Sequence, residues 1–280
     1  MFLRKGAFPV LTILLFLLAA GGLTWLFSAL SGVTGWVLAL LFVLFWVLLH
    51  LLYVLVVWLA TLGLDTEKPL ERQRTLCRLA CGHMSGPLCL YAGLAVRVLG
   101  TEKLPQDRRF LFVCNHRSLF DPLIVMHELR AWNIAFVSKP SNLRLPLVGK
   151  IAYAAGFLAI DRENDRNALR TILTAADYLK RGVCSIGIYP EGTRSRTGEL
   201  LPFHAGSFKI AQRAKAPLVI ACVRGTEQLR QHPLRPCKRV ELEILEVLEP
   251  EQVQAMSTHE LSEHSRAVIA EALARKEEAA

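Results

Sequence analysis

The sequence predicts an α/β protein with a mixed or mostly parallel sheet flanked by helices, preceded by an N-terminal two-helix membrane hairpin. Two observations carry this prediction. Residues 6–64 contain no Asp, Glu, Lys or Arg, and beyond them short apolar runs typical of strands alternate with segments of helical spacing. We therefore expect a membrane-embedded hairpin over residues 1–64, an amphipathic interfacial connector over 65–93 and a globular domain over 94–280.

The uncharged N-terminal stretch is long enough for two helices. The turn-forming segment 31–35 (SGVTG) divides it into segments 8–30 and 36–62, each longer than the roughly 20 residues that span a bilayer. Basic residues precede the first segment and follow the second, so both ends lie in the cytoplasm if the segments cross. A secretory signal peptide, or a hairpin lying within one leaflet, is the alternative.

The formal net charge of +9 indicates an anionic partner. Such an excess suits a membrane surface or a phosphate-bearing substrate. The sequence contains no zinc finger, basic zipper or aromatic RNA-binding motif. We expect membrane lipids as partners and no nucleic acid, and we place the protein at the cell membrane with its globular domain on the cytoplasmic side.

The patterns beyond the hairpin predict the remaining elements. Strands are expected at the apolar runs 94–99, 110–114, 133–138, 156–160, 183–189, 217–223 and 239–247. Helical spacing is found at 70–91, 122–130, 143–154, 164–180 and 257–278.

A histidine follows the run 110–114, in the segment 115–121 (NHRSLFD). Loops after the strands of an open α/β sheet are where such sheets bind ligands. Asp121 can turn back to accept a hydrogen bond from one ring nitrogen of His116, which leaves the other nitrogen as a base for a hydroxyl group. Asp121 before Pro122 is also an ordinary helix start that needs no catalysis. Both interpretations remain open at this point.

A second motif, 190–194 (PEGTR), follows the run 183–189. Gly192 allows close approach of a ligand to the backbone, and the planar guanidinium of Arg194 suits a phosphate. Glu191 can only accept hydrogen bonds and could steer Arg194 or another cation. The same residues are also good turn formers, in which case Arg194 is a solvated loop charge.

Two further cations, Lys139 and Arg162, follow the runs 133–138 and 156–160. At the ends of neighbouring strands they could join Arg194 around one anionic group. The alternative is a surface ion pair, for example between Asp161 and a nearby arginine, which contributes little energy.

Together these segments resemble the glycerolipid acyltransferase family, which includes the 1-acylglycerol-3-phosphate acyltransferases. The His-x4-Asp block is residues 116–121; residues 139–146, 149–156 and 160–162 resemble the second block, 191–195 (EGTRS) match the third, and 216–219 (APLV) resemble the fourth. Four blocks in this order are far more specific than any one of them.

The resemblance implies direct transfer of a fatty acyl group from acyl-carrier protein or coenzyme A to the free sn-2 hydroxyl of 1-acylglycerol 3-phosphate (lysophosphatidic acid), which forms phosphatidic acid. It implies that His116 is the catalytic base and that Asp121 orients it. The residues that would bind or support the acceptor phosphate are Lys139, Arg162, Glu191, Gly192, Thr193 and Arg194. The acyl thioester is a co-substrate, and we expect no bound cofactor and no metal.

Two departures from the family pattern concern the acceptor. Phe203 is followed by His204 and Ala205 where basic residues are common, and Ile220 stands where a second proline is usual. Glycerol 3-phosphate or another lysophospholipid is therefore the alternative acceptor. Outside the enzymes, a membrane-tethered lipid-binding protein is the alternative, because it would keep the basic residues without needing a base at position 116.

Overall fold

The two apolar segments form a pair of packed helices in a computed structural model that describes residues 7–233 and 237–277. They are α1 (Ala7–Ser31) and α2 (Trp36–Leu59), and each contains an apolar stretch long enough to cross a membrane. Phe27 of α1 lies edge-on against Phe45 of α2. Of the side chains over residues 13–59, only Ala20, Thr24 and Val57 are buried. Such exposed apolar helices indicate membrane association.

Helices and strands alternate through the rest of the chain, as predicted. The remaining helices are α3 (Thr75–Tyr91), α4 (Asp121–Glu128), α5 (Pro140–Leu143), α6 (Val148–Ala154), α7 (Asp165–Lys180), α8 (Lys209–Ala214), α9 (Gln228–Gln231), α10 (Pro250–Ala255) and α11 (Thr258–Glu277). The strands are β1 (Leu94–Leu99), β2 (Leu111–Cys114), β3 (Ile134–Ser138), β4 (Leu158–Ala159), β5 (Ser185–Ile188), β6 (Leu218–Arg224) and β7 (Lys238–Leu248).

The strands of the described residues form one sheet in the order β1-β7-β6-β2-β5-β3-β4. Strands β6, β2, β5, β3 and β4 run parallel to one another, whereas β7 pairs antiparallel with β6 and parallel with β1. The predicted mixed, mostly parallel α/β sheet is thus confirmed. Because the central strands are parallel, the loops after β2, β3, β4, β5 and β6 all emerge at one edge, here called the carboxyl edge.

The central strands are buried on both faces, which explains their continuous apolar sequences. Every residue of β2 and β5 is buried. Side chains alternate between two cores: Leu111 packs with Tyr178 of α7 on one face, and Phe112 packs with Ile124 of α4 on the other. The sheet therefore provides a rigid support for the loops at its carboxyl edge.

The chain between hairpin and sheet differs from its predicted form. Helix α3 begins at Thr75 rather than near residue 70. The preceding segment is bound to the globular domain instead: the backbone N–H of Leu70 donates to the hydroxyl of Tyr178 over 2.7 Å, and that of Arg74 donates to the carbonyl of Ala154 over 2.9 Å. A tertiary contact therefore overrides the local helical pattern.

The predicted helix over residues 143–154 is interrupted. Its second part forms α6, but residues 144–147 form a turn after the short α5, which ends at Leu143, and Leu147 adopts a φ of +59° at that turn. Gly149 packs so closely that an added Cβ would lie 2.2 Å from the carbonyl oxygen of Leu143. The strand predicted over 156–160 is reduced to β4, and the short helices α8, α9 and α10 lacked a clear periodic signal.

Candidate active site

The loop between β2 and α4 brings His116 and Asp121 together. The Nδ1 of His116 lies 2.8 Å from Oδ2 of Asp121. The same oxygen accepts the backbone N–H groups of Arg117 and Ser118, each over 2.7 Å. Asp121 is fully buried, while the imidazole of His116 keeps some exposure. Three donors thus converge on one carboxylate oxygen, which fixes the position of the ring.

Asp121 is not used as an ordinary helix cap. Helix α4 begins at this residue, its N-cap position is Phe120, and no side chain caps it. The carboxylate turns back toward the preceding loop. Since a carboxylate accepts and does not donate, Nδ1 of His116 carries the proton and Nε2 keeps a free lone pair. The geometry supports the general-base interpretation over the helix-start alternative.

Tyr189 supports the imidazole from the side, which the sequence did not reveal. Its ring stacks on His116 with the centroids 4.1 Å apart, and Phe136 stacks on its other face at 5.2 Å. Tyr189 ends the apolar run that forms β5, so its sequence position predicts only a core residue. Burial raises the pKa of its phenol well above the ordinary value, so the hydroxyl stays protonated.

Glu191 joins the two motif loops. Its Oε1 accepts the backbone N–H of His116 over 2.6 Å, and its Oε2 accepts that of Leu201 over 3.1 Å. The backbone N–H of Ser195 donates in turn to the carbonyl of His116 over 2.9 Å. Both oxygens of Glu191 therefore hold backbone groups of the two loops, while its role in steering Arg194 or another cation stays a prediction. Burial raises the pKa of this carboxyl, an effect that the two hydrogen bonds partly offset.

Gly192 and Arg162 lie in direct contact. The guanidinium of Arg162 donates to the carbonyl of Gly192. Gly192 has a φ of +78°, and a Cβ added there would lie 2.2 Å from Arg162 Nη1. Both the left-handed conformation and the close contact therefore require glycine at this position.

The other predicted cations lie along the carboxyl edge and are exposed. Lys139 follows β3, and Thr193 and Arg194 stand in the loop after β5. Since β5, β3 and β4 are adjacent strands, the cations that follow them, Lys139, Arg162 and Arg194, share one side of the His116 loop. The exposed side chains of Lys139 and Arg194 can meet an anionic group in solution or at a membrane, whereas the guanidinium of Arg162 already donates to Gly192.

Arg117 is a further residue of this site that the sequence did not single out. It donates through Nη2 to the carbonyl of Gly198 over 2.8 Å, and its Nη1 lies 3.6 Å from Oε2 of Glu227. It therefore ties the His116 loop to the loop after β5 and to the chain after β6. Only its place next to His116 could have indicated it.

A mostly parallel sheet with a histidine–carboxylate pair at its carboxyl edge, beside two exposed apolar helices, defines a membrane-associated α/β enzyme. The model of the acyltransferase family matches residues 95–224. The 1-acyl-sn-glycerol-3-phosphate acyltransferases of Salmonella typhimurium and Escherichia coli are each 30% identical over 193 residues, covering 69% of this chain and 78% of the relative. That of Cocos nucifera is 32% identical over 146 residues, covering 52% of this chain and 46% of the relative.

A solved structure shares the fold. The crystal structure of the 1-acyl-sn-glycerophosphate acyltransferase from Thermotoga maritima gives a TM-score of 0.63 at 22% identity, and the match covers 96% of this chain and 98% of that chain. This chain belongs to the glycerolipid acyltransferase family, and the protein is an acyltransferase.

Proposed function

We propose that the enzyme transfers a fatty acyl group from acyl-carrier protein or coenzyme A to the free sn-2 hydroxyl of 1-acylglycerol 3-phosphate, forming phosphatidic acid. The observation that carries the mechanism is the 2.8 Å contact between His116 Nδ1 and Asp121 Oδ2. The names of the bacterial relatives support the choice of acceptor.

The transfer proceeds in one displacement at the thioester carbonyl. Nε2 of His116 removes the proton of the acceptor hydroxyl as its oxygen attacks the carbonyl carbon. The tetrahedral intermediate then collapses: the carbon–sulfur bond breaks, and the leaving sulfur takes the proton from the imidazolium. One ester and one thiol result, and no acyl group is attached to the enzyme.

Asp121 and Tyr189 position the base through separate contacts. The carboxylate of Asp121 accepts from Nδ1 and stabilises the imidazolium that forms during attack. The stacked ring of Tyr189 limits rotation of the imidazole. Together they hold Nε2 in one direction, which increases the effective concentration of base at the hydroxyl.

The acceptor phosphate lies on the side of the site occupied by Lys139, Arg162 and Arg194. Charge-assisted hydrogen bonds from guanidinium groups to phosphate are about twice as strong as neutral ones. Arg162 already donates to Gly192, so it orders the glycine loop as well as adding positive charge. Lys139 and Arg194 supply the direct contacts, while Gly192 and Thr193 shape the loop.

The apolar hairpin keeps the enzyme where its substrates are. A lysolipid resides in the bilayer, so an anchored enzyme meets it in two dimensions. We place the catalytic domain on the cytoplasmic side, because Arg4 and Lys5 precede the hairpin and Lys68 and Arg72 follow it.

The test is a substrate panel with the purified full-length enzyme in phospholipid vesicles. Lysophosphatidic acid, glycerol 3-phosphate and a lysophosphatidylcholine are each offered with acyl-carrier-protein and coenzyme A thioesters, and products are followed by mass. We expect phosphatidic acid to form fastest from lysophosphatidic acid. Faster acylation of either other acceptor would overturn the proposed acceptor, and binding of lysophosphatidic acid without product would favour the lipid-binding alternative.

A further inference from the structure

The turn between α5 and α6 displays aliphatic side chains to the surroundings. Leu145 is 52% exposed, Leu147 is 41% exposed and Val148 is 56% exposed. The turn follows β3 and therefore lies at the carboxyl edge, where Leu119 of the His116 loop is also 63% exposed. Several exposed aliphatic residues along the edge of the sheet that carries His116 are unusual for a surface that meets only water.

This turn is held in a defined shape. Leu147 adopts the left-handed φ of +59°, which leucine rarely occupies. The backbone N–H of Gly149 donates to the carbonyl of Leu145 over 2.9 Å. The close approach of Gly149 to Leu143 leaves no space for a side chain there. The exposed side chains thus project from a turn with a defined, hydrogen-bonded backbone conformation.

The charges around the turn are almost all positive. Residues 133–160 contain Lys139, Arg144 and Lys150 but no Asp or Glu. A cavity of about 630 Å³ lies between the turn and α7, and its charged lining residues are Glu67, Lys68, Arg144, Lys150 and Arg170. Lys68 pairs with Asp65 over 3.4 Å, so Arg144, Lys150 and Arg170 remain against one carboxylate. This excess of cations favours an anionic occupant.

The cavity adjoins the hairpin. Trp58 of α2 and Leu64, which follows it, line the same cavity as Arg144 and Leu145. Helix α2 also packs on α6 through Val57, which clusters with Ile151 and Ala154. One surface thus combines aliphatic side chains, several cations and the end of an apolar helix.

We propose that residues 144–148 form a second membrane contact, separate from the hairpin, on a bilayer that contains anionic phospholipid. Leu145, Leu147 and Val148 enter the interface, and Arg144 and Lys150 bind lipid phosphates beside them. This contact turns the carboxyl edge toward the membrane. It does not depend on which lipid is acylated.

The test places a fluorophore at the turn of the full-length protein. Cys237 is the exposed cysteine, and the other six are buried or partly buried, so Cys237→Ser gives a background for labelling Leu145→Cys with a nitrobenzoxadiazole (NBD) thiol reagent. The matched control is Gln106→Cys, an exposed residue before β2 and hence at the opposite edge of the sheet. Both proteins are reconstituted into vesicles of phosphatidylcholine with phosphatidylglycerol.

In these vesicles we expect a blue-shifted emission at position 145 that doxyl-labelled lipid quenches and aqueous iodide does not, with the reverse at position 106. Equal iodide quenching at the two positions would overturn the proposal. In pure phosphatidylcholine, or after Arg144→Gln with Lys150→Gln, the blue shift should shrink. An unchanged shift in both would remove the assigned role of the cations.

A kinetic comparison adds a second measurement. The exposed pair Leu145→Ser and Val148→Ser should raise the KM for a long-chain lysolipid in vesicles and leave the rate on a water-soluble short-chain analogue unchanged. Equal effects on both substrates would contradict an interfacial role. Because the fluorescence measurement needs no turnover, a failure of this inference can be told apart from a failure of the proposed acyl transfer.

Discussion

The imidazole of His116 lies flat on the ring of Tyr189, with the two planes inclined by 14° and the centroids 4.1 Å apart. Phe136 continues the stack on the far side of Tyr189. The stacked rings of Tyr189, which follows β5, and Phe136 of β3 therefore support the base, in addition to its hydrogen bond with Asp121. The order of the strands, rather than any local motif, creates this arrangement.

Two substitutions at Tyr189 distinguish the role of its ring from the role of its hydroxyl. The hydroxyl is buried and has no hydrogen-bond partner among the described residues, so Tyr189→Phe should keep activity and have an equal or higher Tm. Tyr189→Ala removes the stacking ring and should cost about 3 kcal/mol or more of stability, with a lower kcat. A large loss of activity in Tyr189→Phe would instead assign the hydroxyl a direct role.

His116→Ala should lower kcat by about 10²- to 10⁴-fold, because the acceptor hydroxyl loses its base. Binding of lysophosphatidic acid should persist, measured by retention of labelled lysolipid on the reconstituted enzyme. The matched control is His232→Ala, an exposed histidine in the chain between α9 and β7. Activity of His116→Ala close to that of the control would remove His116 from the mechanism.

Asp121→Asn should preserve the fold and disable the base. All three donors meet Oδ2 of Asp121, so an asparagine keeps them by placing its oxygen there. Its amide then fills the Oδ1 position, which is buried and has no hydrogen-bond partner among the described residues, and the negative charge that stabilises the imidazolium is lost. We expect a loss of about 10²- to 10⁴-fold in kcat together with a lower Tm. A rate close to wild type would show that the base does not need the negative charge of Asp121.

Arg194→Gln should weaken binding of the acceptor more than it lowers kcat. A hydrogen bond to a charged group contributes about 1.5–3 kcal/mol, which corresponds to a rise of roughly tenfold to a hundredfold in the acceptor KM. Arg196→Gln, two residues on in the same exposed loop, is the matched control. If both variants raise the KM equally, the rise comes from loss of positive charge in the loop and not from loss of a specific contact between Arg194 and the phosphate.

Glu191 should make stability depend on pH in a defined direction. Burial raises the pKa of its carboxyl above the ordinary value of 4.5, so the folded state holds this proton more tightly than the unfolded chain. Its contribution to stability is therefore greatest below pH 4.5 and is lost as the pH rises through the folded-state pKa. The Tm of wild type relative to Glu191→Gln should accordingly fall between pH 4.5 and neutral pH.

The control for this measurement is Glu199→Gln, because Glu199 is an exposed carboxylate in a nearby loop. Its Tm difference from wild type should stay flat over the same range. A rising difference for Glu191→Gln would mean that the hydrogen bonds from His116 and Leu201 outweigh burial.

Much of the fold follows from local sequence, because each central strand is buried on both faces and reads as an apolar run. The predicted runs 94–99 and 133–138 fall on β1 and β3 within a residue. The connector over residues 65–93 was harder to predict. Residues 70–74 have a helical pattern, but their backbone hydrogen bonds with Tyr178 and Ala154 hold them outside the helix. Neither partner can be inferred from spacing.

The site divides in the same way. The His116–Asp121 contact spans five residues and could be predicted from local turn chemistry. The roles of Tyr189 and Arg117 could not, because they depend on β5 and β6 flanking β2. The function of Glu191 was also hidden, since a motif shows which residue is present but not which backbone groups its oxygens meet.

The packing of Val57 has a consequence for handling the enzyme. This residue of α2 is buried against Cys77 of α3 and Ala154 of α6, so part of the hairpin completes the interior of the domain that it anchors. A truncation that begins after Leu59 would open an apolar hollow and leave α3 and α6 without their cover. A water-soluble version would need new polar side chains on those two helices, because removing the hairpin alone exposes the apolar faces of α3 and α6 that it covers.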